Sequence, residues 1–124
     1  MKEKFKYQFD ESSGILYKVY SGPITLEDIF SSWDYAINNN IIPKETKGFL
    51  LDYRDAELDM DIKEYYKIPE YYQKHLDVFG GCKIAILTQS KKDIAIPTLV
   101  EAKDDGYLSR PFYTLEAAIK WILT

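Results

Sequence analysis

Lys47-Gly-Phe-Leu-Leu-Asp-Tyr-Arg-Asp-Ala-Glu-Leu-Asp-Met-Asp61 is the stretch on which the reading of this chain turns. Residues 48–51 form a short, unbroken apolar run of the kind found in strands buried on both faces, and the strand is expected to span 48–53. A charged, turn-forming segment follows, and a helix is expected to start near Asp61. In open α/β sheets, ligands and partners are met at the carboxyl ends of strands, so function should sit at this junction. Yet residues 52–61 hold no Ser, Thr, Cys or His. The junction therefore offers no ordinary nucleophile and no soft metal ligand.

Outward from that strand, the chain alternates strands with helices. Phe5, Tyr7 and Phe9 alternate with polar residues, and Ile15, Tyr17, Val19 and Tyr20 give a second strand, so residues 5–20 read as a β-hairpin. Gly22-Pro23 is expected to stop it. Thr25 with Asp28 forms a capping-box-like start for a helix carrying Leu26, Ile29, Phe30, Trp33 and Ile37 inward, ended by Asn38-Asn-Asn40. Past the central strand, a helix capped by Asp61 and Glu64 should run towards Phe79, kinked or broken by Pro69. Ile62, Tyr66, Pro69, Tyr72 or Tyr71, Leu76 and Phe79 would face the sheet, leaving Tyr65 nearer the solvent. Residues 83–88 read as a covered central strand. A helix led by Ser90 and Asp93 follows, its start delayed by Pro97. Residues 111–113 give a short last strand, and a Thr114-capped helix closes the chain with Leu115, Ala118, Ile119 and Ile122 inward. The order is ββαβαβαβα. It implies one α/β domain over residues 1–124, with a single, mostly parallel mixed sheet and an antiparallel first strand at one side.

Composition narrows the function classes. A formal net charge of −4 over 124 residues argues against nucleic-acid binding, which needs a basic face to displace counterions. The basic start, residues 1–6, leads into no apolar signal core, and the apolar runs are strand-sized, so no membrane span is expected. One cysteine, Cys82, cannot form an internal disulfide and suits a cytoplasmic protein; a buried structural thiol is expected. The many Tyr, Ile, Asn and Lys residues with few Ala suggest a bacterial source. Neither a Walker-type loop nor a G-x-G-x-x-G fingerprint is present, and no cofactor is expected.

Three motifs in this order resemble the SpoIIAA-like branch of the STAS fold, the domain type of anti-sigma-factor antagonists. They are Tyr20-Ser-Gly22 before a Thr25-capped helix, Gly48-Phe-Leu-Leu-Asp-Tyr-Arg-Asp55 before the second helix, and Arg110-Pro-Phe-Tyr-Thr-Leu-Glu-Ala-Ala-Ile-Lys-Trp-Ile122 at the close. The resemblance implies a non-catalytic regulatory module that binds a protein partner. Regulatory STAS domains carry a phosphorylatable Ser or Thr at the start of the second helix. Here the only hydroxyl in residues 52–61 is that of Tyr53, so the usual phosphoserine switch is not expected. Related α/β proteins of the CRAL-TRIO type hold lipids, which admits a small apolar ligand.

The candidate residues each have an ordinary reading beside the functional one. Asp52, Asp55, Glu57, Asp59 and Asp61 could hold a hard cation, but they do not follow a calcium-loop pattern. Helix capping and pairing with Arg54 explain them more simply, and no metal site is assigned. Tyr65, Tyr66, Tyr71 and Tyr72 could form an aromatic docking patch, although apolar stripes at helical spacing are usually core. His75 is the only histidine, and neither Ser90 nor Ser109 sits in a nucleophile elbow. The favoured expectation is a partner surface made by Arg54, Asp55, Glu57 and Tyr65, with residues 88–90 beside it. The alternative is a carrier of an apolar ligand held by Tyr66, Tyr72 and Ile96, which needs an internal cavity of roughly 300 Å³ or more. An enzyme using Asp52 and Asp55 as acid and base ranks last. Homodimerisation through the hairpin edge or exposed aromatics is a further expectation.

Overall fold

A computed structural model describes residues 4–124; the basic start at residues 1–3 lies outside the described residues. Five strands form one sheet in the order β1-β2-β3-β4-β5, from β1 (Phe5–Asp10) and β2 (Ile15–Ile24) to β3 (Gly48–Leu58), β4 (Lys83–Leu87) and β5 (Leu108–Phe112). β1 pairs antiparallel with β2, and the other three pairings are parallel. The mixed α/β architecture is therefore the one expected.

This strand order dictates where the helices go. Each parallel strand is added on the same side of the last, so right-handed crossovers deliver every connecting helix to one face. That face carries α1 (Leu26–Asn38), α2 (Lys67–Lys74), α3 (Leu76–Phe79) and α4 (Ala95–Glu101), packed over Leu16, Phe49, Leu51, Ile84 and Ile86. Trp33, Phe49 and Phe79 meet there edge-on or tilted, with centroids 5.1–5.6 Å apart. Only α5 (Leu115–Leu123), which makes no crossover, reaches the second face, where Ala118 and Ile122 bury Leu50, Ala85 and Leu87. It covers β3, β4, β5 and the start of β2 at Ile15, and leaves Lys6 and Gln8 of β1 exposed on that face. α5 lies so close that a Cβ on Gly48 would overlap Ile122 Cγ2.

The helix starts follow their caps. Thr25 Oγ1 accepts from the Asp28 amide (3.1 Å) while Asp28 Oδ2 accepts from the Thr25 amide (3.0 Å), a complete capping box. Thr114 Oγ1 likewise accepts from the Ala117 amide. α4 begins at Ala95, later than its Ser90 lead, as Pro97 requires.

Four expectations need correction. Gly22-Pro23 does not stop β2. Gly22 adopts φ +78° after a register shift between Val19 and Ser21, and beyond Tyr20 no β1 residue remains to receive a donor from Pro23. β3 does not end at residue 53. Its charged tail pairs with the tail of β2, from Ser21↔Asp55 to Ile24↔Leu58, so the expected loop is mostly strand. The second helix is not one kinked rod but a 3₁₀ turn (Ile62–Glu64) followed by α2 and α3. Asp61 caps only the Lys63 amide, and Glu64 pairs with Lys67 instead of closing a box. Pro69 is the third residue of α2, inside the first turn, where the missing N–H has no intrahelical acceptor to lose. Finally, β5 starts at Leu108, earlier than expected, with Pro111 on the terminal strand of the sheet.

Candidate functional site

β2 and β3 outrun the rest of the sheet. The β3–β4 pairing ends at Asp52↔Leu87, whereas β3 continues for six residues alongside β2. The two tails form an arm at the carboxyl end of the sheet, where the crossing strands of an α/β fold present their loops. Two carboxylates finish the side of β3 that β4 abandons. Asp52 accepts the Arg54 amide through Oδ1 (3.0 Å), and the buried Asp93 accepts the Leu58 amide through Oδ2 (3.2 Å). Asp93 thus ties the lead into α4 to the tip of the arm.

The arm's charged residues surround an open concavity of about 370 Å³ lined by Gly22, Arg54, Asp55, Ala56 and Glu57. Gly22 leaves its floor bare, since even a Cβ there would meet nothing within 4 Å. Arg54 is fixed by Asp52 through two further hydrogen bonds, Nε to Oδ1 (3.0 Å) and Nη2 to Oδ2 (2.8 Å). That pair raises the Arg54 pKa and keeps the guanidinium charged. Asp52 is consequently occupied on both oxygens, a poor start for acid–base chemistry. Among the described residues, no three His, Cys, Asp or Glu side chains converge as a metal site.

The structure brings together Arg54, Asp55 and Glu57 but does not add Tyr65 as an exposed anchor. Tyr65 is half-buried against the helical core, and Tyr66 is the exposed member of the pair at 45%. The break before α2 rotates the helical register, so Ile62 and Leu76 are also exposed while Ile68, Pro69 and Tyr72 turn inward. Residues 88–90 are used internally. Thr88 Oγ1 accepts from the Ser90 amide, and Ser90 Oγ accepts from the Asp93 amide.

Of the three residues expected to hold an apolar ligand, Tyr72 and Ile96 share a crevice with Ile68, Pro97 and Val100, and Tyr66 does not. Its volume is about 30 Å³, a tenth of what the carrier hypothesis needs, so the core between α2, α4 and the sheet is dense. His75 lies against Tyr71, with ring centroids 4.4 Å apart, and the Tyr71 hydroxyl donates to Asp34 (2.6 Å). Ser109 is bonded to Asp104. Cys82 is buried, with burial raising its thiol pKa, as expected of a structural residue.

One unusual side chain was not visible in the sequence pattern. Lys18 is fully buried, its amine bonded to Ser32 Oγ and lying over four rings: Trp33 (3.8 Å), Tyr20 (4.7 Å), Phe5 (5.2 Å) and Tyr7 (5.7 Å). No carboxylate among the described residues pairs with it, and burial drives its pKa well below the ordinary lysine value. Each desolvated ring contact favours the cation by about 2 kcal/mol, and stripping the amine of its water costs several kcal/mol with no carboxylate to offset it.

No family model matches the sequence, and no curated protein matches it. Solved structures do. An uncharacterised protein of the DUF3478 family with a SpoIIAA-like fold, from Shewanella loihica, aligns with a TM-score of 0.62 at 15% identity, over 95% of this chain and 91% of that one. The anti-sigma factor antagonist SpoIIAA in its unphosphorylated form aligns with a TM-score of 0.51 at 13% identity, over 95% and 96% of the two chains. The chain has the SpoIIAA-like, STAS-type α/β fold that its motifs resemble. No helix among the described residues is long and apolar enough to cross a membrane.

Proposed function

We propose that this chain is a non-catalytic regulatory module that binds a protein partner through the β2–β3 arm, without a phosphoserine switch. The observation that carries the proposal is the arm itself. It extends a rigid two-stranded ladder beyond the sheet and gathers Arg54, Asp55 and Glu57 around the Gly22 concavity. A ladder holds its side chains in fixed positions at little entropic cost on binding, which suits recognition of a folded surface. The fixed Arg54–Asp52 pair and the exposed carboxylates of Asp55 and Glu57 would set charge complementarity and association rate. The similarity in fold to an anti-sigma-factor antagonist supports a regulatory role by analogy of architecture.

A test uses the Asp55→Lys/Glu57→Lys double variant, both positions being exposed on the arm. The purified variant should melt within a few degrees of the parent, because surface changes rarely exceed about 0.5 kcal/mol. Its affinity for a partner captured by the parent chain, measured by titration calorimetry, should fall at least about tenfold. Equal affinity of parent and variant would remove the arm from the interface.

A further inference from the structure

We propose that the outer edge of β1 is a self-association surface on which a second copy of this chain pairs antiparallel, continuing the sheet across a two-fold axis. β1 is the terminal strand of the sheet. The Ser21 amide donates to the Lys4 carbonyl (2.9 Å), which fixes the hydrogen-bonding alternation of the hairpin. Residues 4, 6, 8 and 10 turn their backbone groups towards β2, and residues 5, 7 and 9 turn theirs outward. Phe5, Tyr7 and Phe9 therefore present three donors and three acceptors with no strand partner among the described residues. Terminal strands are normally blunted by charged side chains, proline, a bulge or a covering element. β5 has Pro111 and lies against α4, whereas β1 has neither proline nor bulge, its register with β2 is unbroken, and its charges, Lys6 and Asp10, are of opposite sign.

Charge identifies the occupant as another copy. Set Gln8 opposite Gln8 of the partner subunit, and Lys6 falls opposite Asp10 of the partner subunit, once on each side of the axis. The same register sets Tyr7 opposite Phe9 of the partner subunit, joining residues whose backbone groups face outward. The alternative with Tyr7 opposite its own counterpart sets Lys6 against Gln8 and loses the charge match. Lys6 and Gln8 are exposed, and they lie on the same sheet face as α5, opposite Val19 and Tyr17. Asp10 is held ionised by the Ser12 and Ser13 hydroxyls. On the opposite face the added strand would run beside Tyr35, which is 57% exposed and close enough to Tyr7 to help raise its pKa. This surface is independent of the β2–β3 arm.

Sedimentation velocity on the full chain, from micromolar to millimolar concentrations, should show a monomer–dimer equilibrium. Lys6→Glu alone and Asp10→Lys alone each place like charges across the axis and should raise the dimer Kd by about tenfold or more. Mixed together, the two variants restore both opposite-charge pairs and should form a one-to-one heterodimer. Circular dichroism melts of each variant confirm that it remains folded. Hydrogen exchange should show the amides of Tyr7 and Phe9 gaining protection at high concentration in the parent chain only. A monomer at every concentration would overturn the proposal, as would a dimer insensitive to Lys6→Glu or two variants that fail to associate on mixing.

Discussion

Lys18 is the residue whose environment departs furthest from what its type predicts, and it shows where reading one residue at a time fails. The strand pattern of β2 placed Ile15, Tyr17 and Val19 on one face, leaving a lysine between them to point outwards. Lys18 shares its face with Leu16 and Tyr20, the face that α1 covers, and the amine is enclosed by Phe5, Tyr7, Tyr20 and Trp33 from β1, β2 and α1. Only the fold brings those rings together, so no spacing rule within β2 could reveal them. The consequence is a pH dependence of definite sign. The unfolded chain keeps the Lys18 proton up to the ordinary lysine range, whereas the folded chain loses it well below. Between the two values the unfolded state binds more protons, so Lys18 makes stability rise with pH there and leaves it lowest below the folded value. Tyrosine acts oppositely at higher pH. Burial pushes Tyr7 up to about 12, so ionisation of unfolded tyrosines lowers stability above the ordinary phenol range. Urea denaturation at pH values rising towards the ordinary lysine value should therefore show stability increasing for the parent chain. Lys18→Met removes the charge that burial penalises, so it should be more stable at neutral pH and should flatten the rise. A less stable Met variant with an unchanged pH slope would mean that the cage holds a cation.

At the scale of elements, those fixed by local chemistry were legible and those fixed by pairing were not. Thr25 with Asp28 and Thr114 announced α1 and α5 because a capping hydroxyl acts on amides two or three residues away. The apolar run at residues 48–51 announced the core of β3 for the same reason. Its tail looked like loop because Arg54, Asp55 and Glu57 are the open side of a ladder whose other half, Ser21–Ile24, is distant in sequence. Pro97 was read as delaying the start of its helix, as it does, whereas Pro69 was read as a kink or break; a proline in a first turn begins a helix, and that moved the register of the tyrosines. Tyr65 and Tyr66 exchanged places as a result. Gly48 is an element-scale constraint of a different kind, a close approach between β3 and α5. Gly48→Ala forces the added methyl against Ile122 and the Lys83 carbonyl (3.1 Å). It should cost about 1–3 kcal/mol in urea denaturation. A variant as stable as the parent would show that α5 can ride outward without loss.

For the whole molecule, strand order is the fact from which the rest follows. A sheet wound one way puts α1 to α4 on one face, leaves α5 alone on the other, and exposes two features: the bare edge of β1 and the β2–β3 arm. The sequence pointed to the arm's residues as the candidate site because carboxyl ends of strands are where such folds present ligands and partners, but it could not show that they stand on a two-stranded ladder. It also admitted a ligand carrier, against which the 30 Å³ crevice at Tyr72 and Ile96 stands. Site-specific photocrosslinking reads partner binding by the arm at the residue itself. A benzophenone amino acid would be placed at Glu57, and at exposed Leu123 as the control, each on the full chain in cells of its own source. Partner binding by the arm should give one discrete protein adduct from position 57, absent from position 123 and lost when Asp55→Lys is added. Adducts of equal yield from both positions, or from position 123 alone, would contradict it.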